Sequence, residues 1–379
     1  MAPSPSLSPL PYPPGVGPPG KGKFSPSGSV QSFPGNTIIC HLPPPSESRW
    51  HSRLLKLNAR LSAFLEPDAS LEESASNFDD PKSPQQQAPL YALLPPSSYH
   101  ITLFEGVCTH VSNPAYWPPS SSLPSSCFPS SHHLDPLAPS SSPAFPPPLP
   151  LMTSHFSSLL RRDAAALGPL ALLSSPPRKN NSENKGGSSN NAVAIPMRII
   201  SPSVSDVCIA LHVSPSFPPN AGLHLGPNRG GDGDEDEDED EDEHDYDPAE
   251  APLRKLRNHL SGILSLRQPG HEKYAFHLSL AYFIRWPTNE EREAIEFIIQ
   301  ECIDGINGNA KPESNPGGGR MGVDGFVDSG AAVGPKGKGE EAGKNGDEVT
   351  ETGVEHFGRP EFCEFEDMFE FKRLFYLGD

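Results

Sequence analysis

The chain has 379 residues, enough for two domains or one large one, but 48 prolines and 33 glycines against 35% hydrophobic residues leave much of it unable to form a packed core. The net charge of −19 is concentrated, because residues 232–247 carry 13 acidic side chains and no lysine or arginine. Without that run the balance is only mildly acidic, and no broad basic face is present to grip long nucleic acid, although a site for one or two phosphates is compatible with it.

Biased tracts cover residues 1–20, 118–150, 174–193, 214–252 and 308–356. They cannot bury enough apolar surface to offset the entropy of ordering them. The remaining roughly 200 residues can bury a sizeable core. Residues 33–42, Phe33-Pro34-Gly35-Asn36-Thr37-Ile38-Ile39-Cys40-His41-Leu42, read as a turn leading into a buried strand. Trp50, Leu54, Leu57, Leu61 and Phe64 then recur at steps of four and three with basic residues between them, which predicts an amphipathic helix stopped by Pro67. Residues 90–107 hold a strand, and 118–150 form a Pro/Ser-rich loop. A short helix is predicted in 151–172 around Phe156, Leu159, Leu160, Ala164 and Leu167. One or two strands come next in 194–213, around Arg198-Ile199-Ile200 and Val207-Cys208-Ile209-Ala210-Leu211. Beyond the acidic run, residues 252–266 read as a helix with Leu253, Leu256, Leu260 and Ile263 on one side. A strand spans 274–286, and Thr288 with Glu291 predicts a capping box for a helix carrying Ala294, Ile295, Ile298, Ile299, Cys302 and Ile306. The tail from Glu361 to Leu377 is expected to return as a final strand.

This order, strand–helix–strand then strand–helix–strand–helix–strand, predicts an α+β fold of two similar lobes. Each lobe would hold an antiparallel sheet with outer helices, the two related by a pseudo-two-fold axis with a cleft between them. The expected divisions are a disordered 1–20, a first lobe in 21–117, an insertion in 118–193, second-lobe strands in 194–213, an acidic insertion in 214–251, the rest of the second lobe in 252–307, a linker in 308–356 and a C-terminal strand in 357–379.

A short phrase occurs twice. Tyr99-His100-Ile101-Thr102-Leu103 reappears as Phe276-His277-Leu278-Ser279-Leu280, each in a predicted strand. Residues two apart share a face, so each copy sets an imidazole beside a hydroxyl, with its aromatic and aliphatic residues in the core. His-x-Ser/Thr alone is weak, since His100, His110, His155, His212, His259 and His277 all satisfy it among 14 histidines in a serine-rich chain. His110 precedes a turn, His155 lies by a serine-rich tract, and His259 is in a predicted helix. His212 ends a strand and is the serious rival, but Pro215 comes directly after its hydroxyl and no aromatic residue precedes it. A strand histidine beside a hydroxyl is usually structural, and the repetition is what favours a site.

These phrases resemble those of the 2H phosphoesterase superfamily, which includes 2′-5′ RNA ligases and cyclic phosphodiesterases. With Phe33-to-His41, Tyr99-to-Val107, Phe276-to-Trp286 and Pro360-to-Phe365, the chain looks like an uncharacterised, largely fungal branch of it. The resemblance implies a bilobal fold and phosphoesterase chemistry without naming a substrate. It points to His100 and His277 as catalytic acid and base, in an order the sequence leaves open. Thr102 and Ser279 would donate hydrogen bonds to the non-bridging phosphate oxygens.

Arg285 shares strand parity with His277 and Ser279 and is a candidate phosphate ligand, with a solvated strand end as the competing reading. Asn36 fits a turn role better than a site role, and the opposite parity of Tyr282 places it in the core. No cofactor is expected. No metal is expected either, because no His/Asp/Glu cluster has metal-ligand spacing. The scattered cysteines Cys40, Cys108, Cys127, Cys208, Cys302 and Cys363 form no Cys-x-x-Cys pair and no disulfide framework. With no signal segment and no apolar run of about 20 residues, they suggest reduced thiols in an intracellular protein, cytoplasmic or nuclear. The expected partner is a nucleotide or RNA-end phosphodiester, with no membrane and no extended nucleic-acid face. Two other readings stand beside the enzyme: a nucleotide or RNA-end binding module using the same cleft, and an interaction scaffold acting through the Pro-rich and acidic tracts.

Overall fold

The β-branched run after Gly35 forms β1 (Gly35–His41), and the leucine stripe beyond it forms α1 (His51–Leu65). This computed structural model describes residues 11–65, 88–109, 116–127, 147–163, 194–217, 247–308 and 353–378. In chain order the next elements are β2 (Tyr91–Leu93), β3 (His100–Cys108), α2 (Leu149–Arg162), β4 (Ile195–Val204) and β5 (Cys208–Pro215). After them come α3 (Ala251–Leu264), β6 (His277–Phe283), α4 (Asn289–Ile306), β7 (Val354–Phe357), β8 (Glu361–Phe365) and β9 (Phe371–Tyr376).

The α+β class, the antiparallel pairing and the helices are as expected. The two expected sheets meet edge to edge as one curled sheet in the order β7-β4-β5-β6-β3-β1-β8-β9, with β2 added to β6. The seam is a single Cα pair, Ile101 with Leu278. Apart from β2, four strands lie on each side of it, so the pseudo-two-fold axis runs through the seam and the motif strands β3 and β6 are neighbours.

Apolar stripes hold the helices on the sheet. Leu54, Leu57 and Leu61 of α1 are at most 1% exposed, each contributing about 1.5–3 kcal/mol on burial. The helix α1 packs beside α4, whose Ile295, Ile299 and Ile303 are also buried, while Phe64 stays at the surface. The α4 start is the expected capping box: Glu291 N–H donates to Thr288 Oγ1 (3.2 Å) and Thr288 N–H donates to Glu291 Oε2 (2.9 Å). The helix α2 begins at Leu149, and Ala164 and Leu167 lie outside the described residues.

Three stretches differ from expectation. Residues 11–20 pack with residues 21–30, through bridges joining Val16 to Phe24 and Phe24 to Val30. Phe24 is fully buried against Tyr282 and Phe369, with ring centroids 5.4 and 6.2 Å away, so this segment straps the two halves together. Residues 116–127 form short 3-10 turns in place of a plain loop, because Trp117, Leu123 and Cys127 are apolar enough to be buried. The tail makes a β8–β9 hairpin where one strand was expected: Asp367 Oδ1 accepts the Phe369 and Glu370 N–H groups and turns the chain. The short strand β7 pairs with β4 in the other half. Most of the acidic run and of the 308–356 linker lies outside the described residues. Among the described residues no helix is long and apolar enough to cross a membrane.

Candidate active site

The seam pair fixes the geometry of the motifs. Antiparallel pairing about Ile101 and Leu278 sets His100 across from Ser279, and Thr102 across from His277. Each imidazole thus faces the other lobe's hydroxyl as well as standing two residues from its own. The intervening Tyr99, Ile101, Phe276 and Leu278 are at most 2% exposed and anchor the opposite face.

Each motif leads into a β-bulge at the same place. On β3 the register to β1 steps from Thr102 to Phe104, leaving Leu103 unmatched. On β6 the register to β5 steps from Ser279 to Ala281, leaving Leu280 unmatched. Both bulge carbonyls find outside donors, as buried acceptors must. Arg257 Nη1 donates to Leu103 O at 2.6 Å, and Leu94 N–H donates to Leu280 O at 2.8 Å. One extra residue reverses the alternation downstream. Glu105 is therefore exposed beyond the first bulge. Tyr282 lies in the core as expected, packed on Phe24, and its hydroxyl reaches the Lys23 ammonium, which lies 4.8 Å from its ring centre.

The same reversal affects Arg285. Its guanidinium is held by both carboxylate oxygens of Glu291, at 2.9 and 2.6 Å, so it braces the start of α4. The structure brings His100, Thr102, His277 and Ser279 together and does not bring Arg285 to them. Asn36 is structural, as its sequence context suggests, though in a strand where a turn was expected. Its Oδ1 accepts the Val107 N–H (3.1 Å) and its Nδ2 donates to Thr153 Oγ1 (3.0 Å). Gly106 makes room for it, since a Cβ there would lie 2.0 Å from Asn36 Oδ1.

Both motif imidazoles are locked in the same tautomer. His100 Nδ1 donates to Ser98 O at 2.6 Å, and His277 Nδ1 donates to Ala275 O at 2.9 Å. A carbonyl can only accept, so Nδ1 carries the proton and Nε2 is left for proton transfer. Their surroundings differ. Burial pushes the His100 imidazolium down to about 3, with His41, His277 and Lys23 adding to the effect against the Ser98 bond. Burial also lowers His277, but its bond to Ala275 and the Glu105 carboxylate favour the charged form. Phe371 stands edge-on to His100 at 4.4 Å between ring centres, and Tyr274 flanks His277 at 5.7 Å. Burial raises the Tyr274 phenol so that it stays protonated, and it shares a hydrogen bond with Thr102. Arg257, only 2% exposed, stacks 3.9 Å from that phenol ring.

Sequence reasoning missed three polar members of the site. Lys23 reaches it from the strap: burial lowers its pKa, but Tyr282, Cys108 and Glu105 more than offset this and the ammonium is held charged. His41 lies across β1–β3 from His100, and His212 lies across β5–β6 from His277. His212 did carry a signal, as the one other strand histidine with a hydroxyl two residues on. The pairing makes it the flanking partner of a motif histidine. Each outer histidine has a buried carboxylate behind it, Glu361 at 3.5 Å from His41 and Glu250 at 3.9 Å from His212.

Residues 23–127, which include His100 and Thr102, match the family model described as 2H-phosphodiest, domain of unknown function (DUF1868). That match supports a phosphoesterase-type function. Among solved structures, the conserved protein of unknown function ATU0111 from Agrobacterium tumefaciens str. C58 is 17% identical, with 94% of this chain and 90% of that chain covered and a TM-score of 0.49. No curated protein matches the chain.

Proposed function

We propose that the chain is a metal-independent 2H-type phosphoesterase that opens a cyclic phosphodiester, such as a 2′,3′-cyclic nucleotide or RNA end, by two-histidine acid–base catalysis. The observation that carries this reading is the pair of Nδ1-locked imidazoles related across the β3–β6 seam, each facing the other lobe's hydroxyl. His100, held neutral, is the base in hydrolysis: its Nε2 takes a proton from the attacking water as the new P–O bond forms. His277, whose charged form Glu105 favours, is the acid: it gives its proton to the ribose oxygen as the ring P–O bond breaks, and a phosphomonoester is left. Each transfer is typically worth ~10²–10⁴-fold. Thr102 and Ser279 donate to the non-bridging oxygens, and Lys23 takes the role that strand parity suggested for Arg285 in balancing the phosphate charge.

The test is turnover of 2′,3′-cyclic nucleotides and short cyclic-phosphate-ended RNAs with EDTA present. Activity that falls at least ~10²-fold in His100→Ala and in His277→Ala, with a bell-shaped pH profile, is the expected result. Binding without turnover by folded wild type would reduce the site to a binding module. Neither turnover nor binding would remove the proposed substrate class.

A further inference from the structure

The strand pairing that flanks the first motif histidine creates a cluster no spacing in the sequence reveals. Ile39 of β1 pairs with Glu361 of β8, and Thr37 pairs with Cys363, so Glu361 and Cys363 rise on the same face as His41. One ligand atom from each of His41, Glu361 and Cys363 lies within 4.8 Å of the other two. His41 Nε2 and Glu361 Oε1 are 3.5 Å apart. Donors around a tetrahedral zinc ion stand about 3.3–3.7 Å apart, given zinc–ligand bonds of ~2.0–2.3 Å. Closing the set therefore takes only a small movement of side chains carried by two rigid, neighbouring strands.

We infer that His41, Glu361 and Cys363 form a binding site for a soft divalent cation of the zinc type on the shoulder of the cleft. Four observations support it. The donor set of one imidazole, one carboxylate and one thiol is of the kind zinc selects. The Cys363 and Glu361 side chains are buried, at 0% and 5% exposure, and burial raises both acids, with Glu361 raising the thiol further. A dication balances the thiolate and the carboxylate, leaving Arg373 as the remaining charge beside the cluster. His41 is also prepared as a ligand: burial favours its neutral form, and its ring hydrogen-bonds the Tyr99 carbonyl, the kind of outer contact that orients metal-binding imidazoles. One cation is already close, the Arg373 guanidinium 3.6 Å from Glu361 Oε2, and it leaves Oε1 turned toward His41.

The other lobe supplies an internal control. His212 and Glu250 repeat the imidazole–carboxylate pair, but among the described residues no third donor joins them within the same 4.8 Å. Binding releases the Cys363 proton to solvent as the sulfur–metal bond forms, so affinity rises with pH. Neither His100 nor His277 is a ligand, and the two-histidine chemistry does not pass through this ion.

The full chain, stripped with EDTA, is titrated with Co²⁺, whose bond to a thiolate gives a charge-transfer band in the near ultraviolet. One equivalent is expected to produce the band and Zn²⁺ to abolish it. Cys363→Ser should remove the band, His41→Asn should weaken Co²⁺ binding by well over ~10-fold, and His212→Asn should leave it unchanged. Because Cys363 is buried and its variant could misfold, alkylation of wild-type thiols is monitored in parallel, and Zn²⁺ should protect Cys363 selectively. No band with wild type, a band that survives both Cys363→Ser and His41→Asn, or no protection of Cys363 would each overturn the site.

Discussion

The two lobes present one local design in two settings. Each has a strand with a buried aromatic, an imidazole locked through Nδ1, a hydroxyl and then a bulged leucine. What differs is what surrounds the copy. In the first lobe, the imidazole packs on Phe371 and the bulge is pinned by the buried guanidinium of Arg257. In the second, the imidazole lies beside Tyr274 and within reach of Glu105, and the bulge is pinned by a backbone N–H from beside β2. The repeated backbone leaves both Nε2 atoms free of the Nδ1 hydrogen bonds, while the unlike surroundings are what the proposed mechanism uses to make one imidazole a base and the other an acid. Symmetry provides position here, and departures from it provide direction.

The largest expected effect separates the two histidines without any substrate. The folded-state pKa of His100 lies near 3, below the ordinary 6.5, so the folded state binds fewer protons than the unfolded state between those values. Its contribution to stability is complete above about pH 6.5 and is lost as pH falls toward 3. The slope from this one group approaches ~1.4 kcal/mol per pH unit. Urea unfolding from pH 7 to 4 should show His100→Gln flattening the acid loss more than His277→Gln, because Glu105 and Ala275 oppose the shift at His277. Equal flattening by the two variants would erase the proposed difference between acid and base.

A smaller effect distinguishes the two cations. Lys23→Met should raise KM for an anionic substrate by roughly 10- to 100-fold, the equivalent of a lost charged hydrogen bond of ~1.5–3 kcal/mol, with Lys23→Arg restoring part of it. The smallest effect belongs to Arg285→Gln, which should cost about 0.5–1 kcal/mol of stability through its pairing with Glu291 and leave KM alone. A KM change in Arg285→Gln comparable to that of Lys23→Met would return Arg285 to the cleft.

The sequence is most legible where local rules suffice. The α1 stripe, the Thr288–Glu291 box and the two motif strands lie where periodicity and capping chemistry put them. Strict alternation fails at Arg285 because a β-bulge leaves no local signature: Leu280 looks like any strand leucine, and only its partner across the ladder shows it to be unmatched. His41 and Lys23 are hidden for a related reason, since cross-strand neighbours and a strap from a Pro/Gly-rich segment are set by tertiary pairing. His212 is visible but reads as a rival, because sequence compares candidates one at a time while a sheet sets them side by side.

The placement of β8 has a consequence for how the protein is made. β1 sits between β3 and β8, and its residues before His41 are buried, yet β8 leaves the ribosome long after β1 and β3 have emerged. Until then one flank of β1 is an open row of N–H and C=O groups, able to pair with a stranger. The last strands also close both halves, β7 onto β4 and β8 onto β1. Folding is therefore a late, long-range closure of the whole sheet, slow by topology, in which neither half matures before the other.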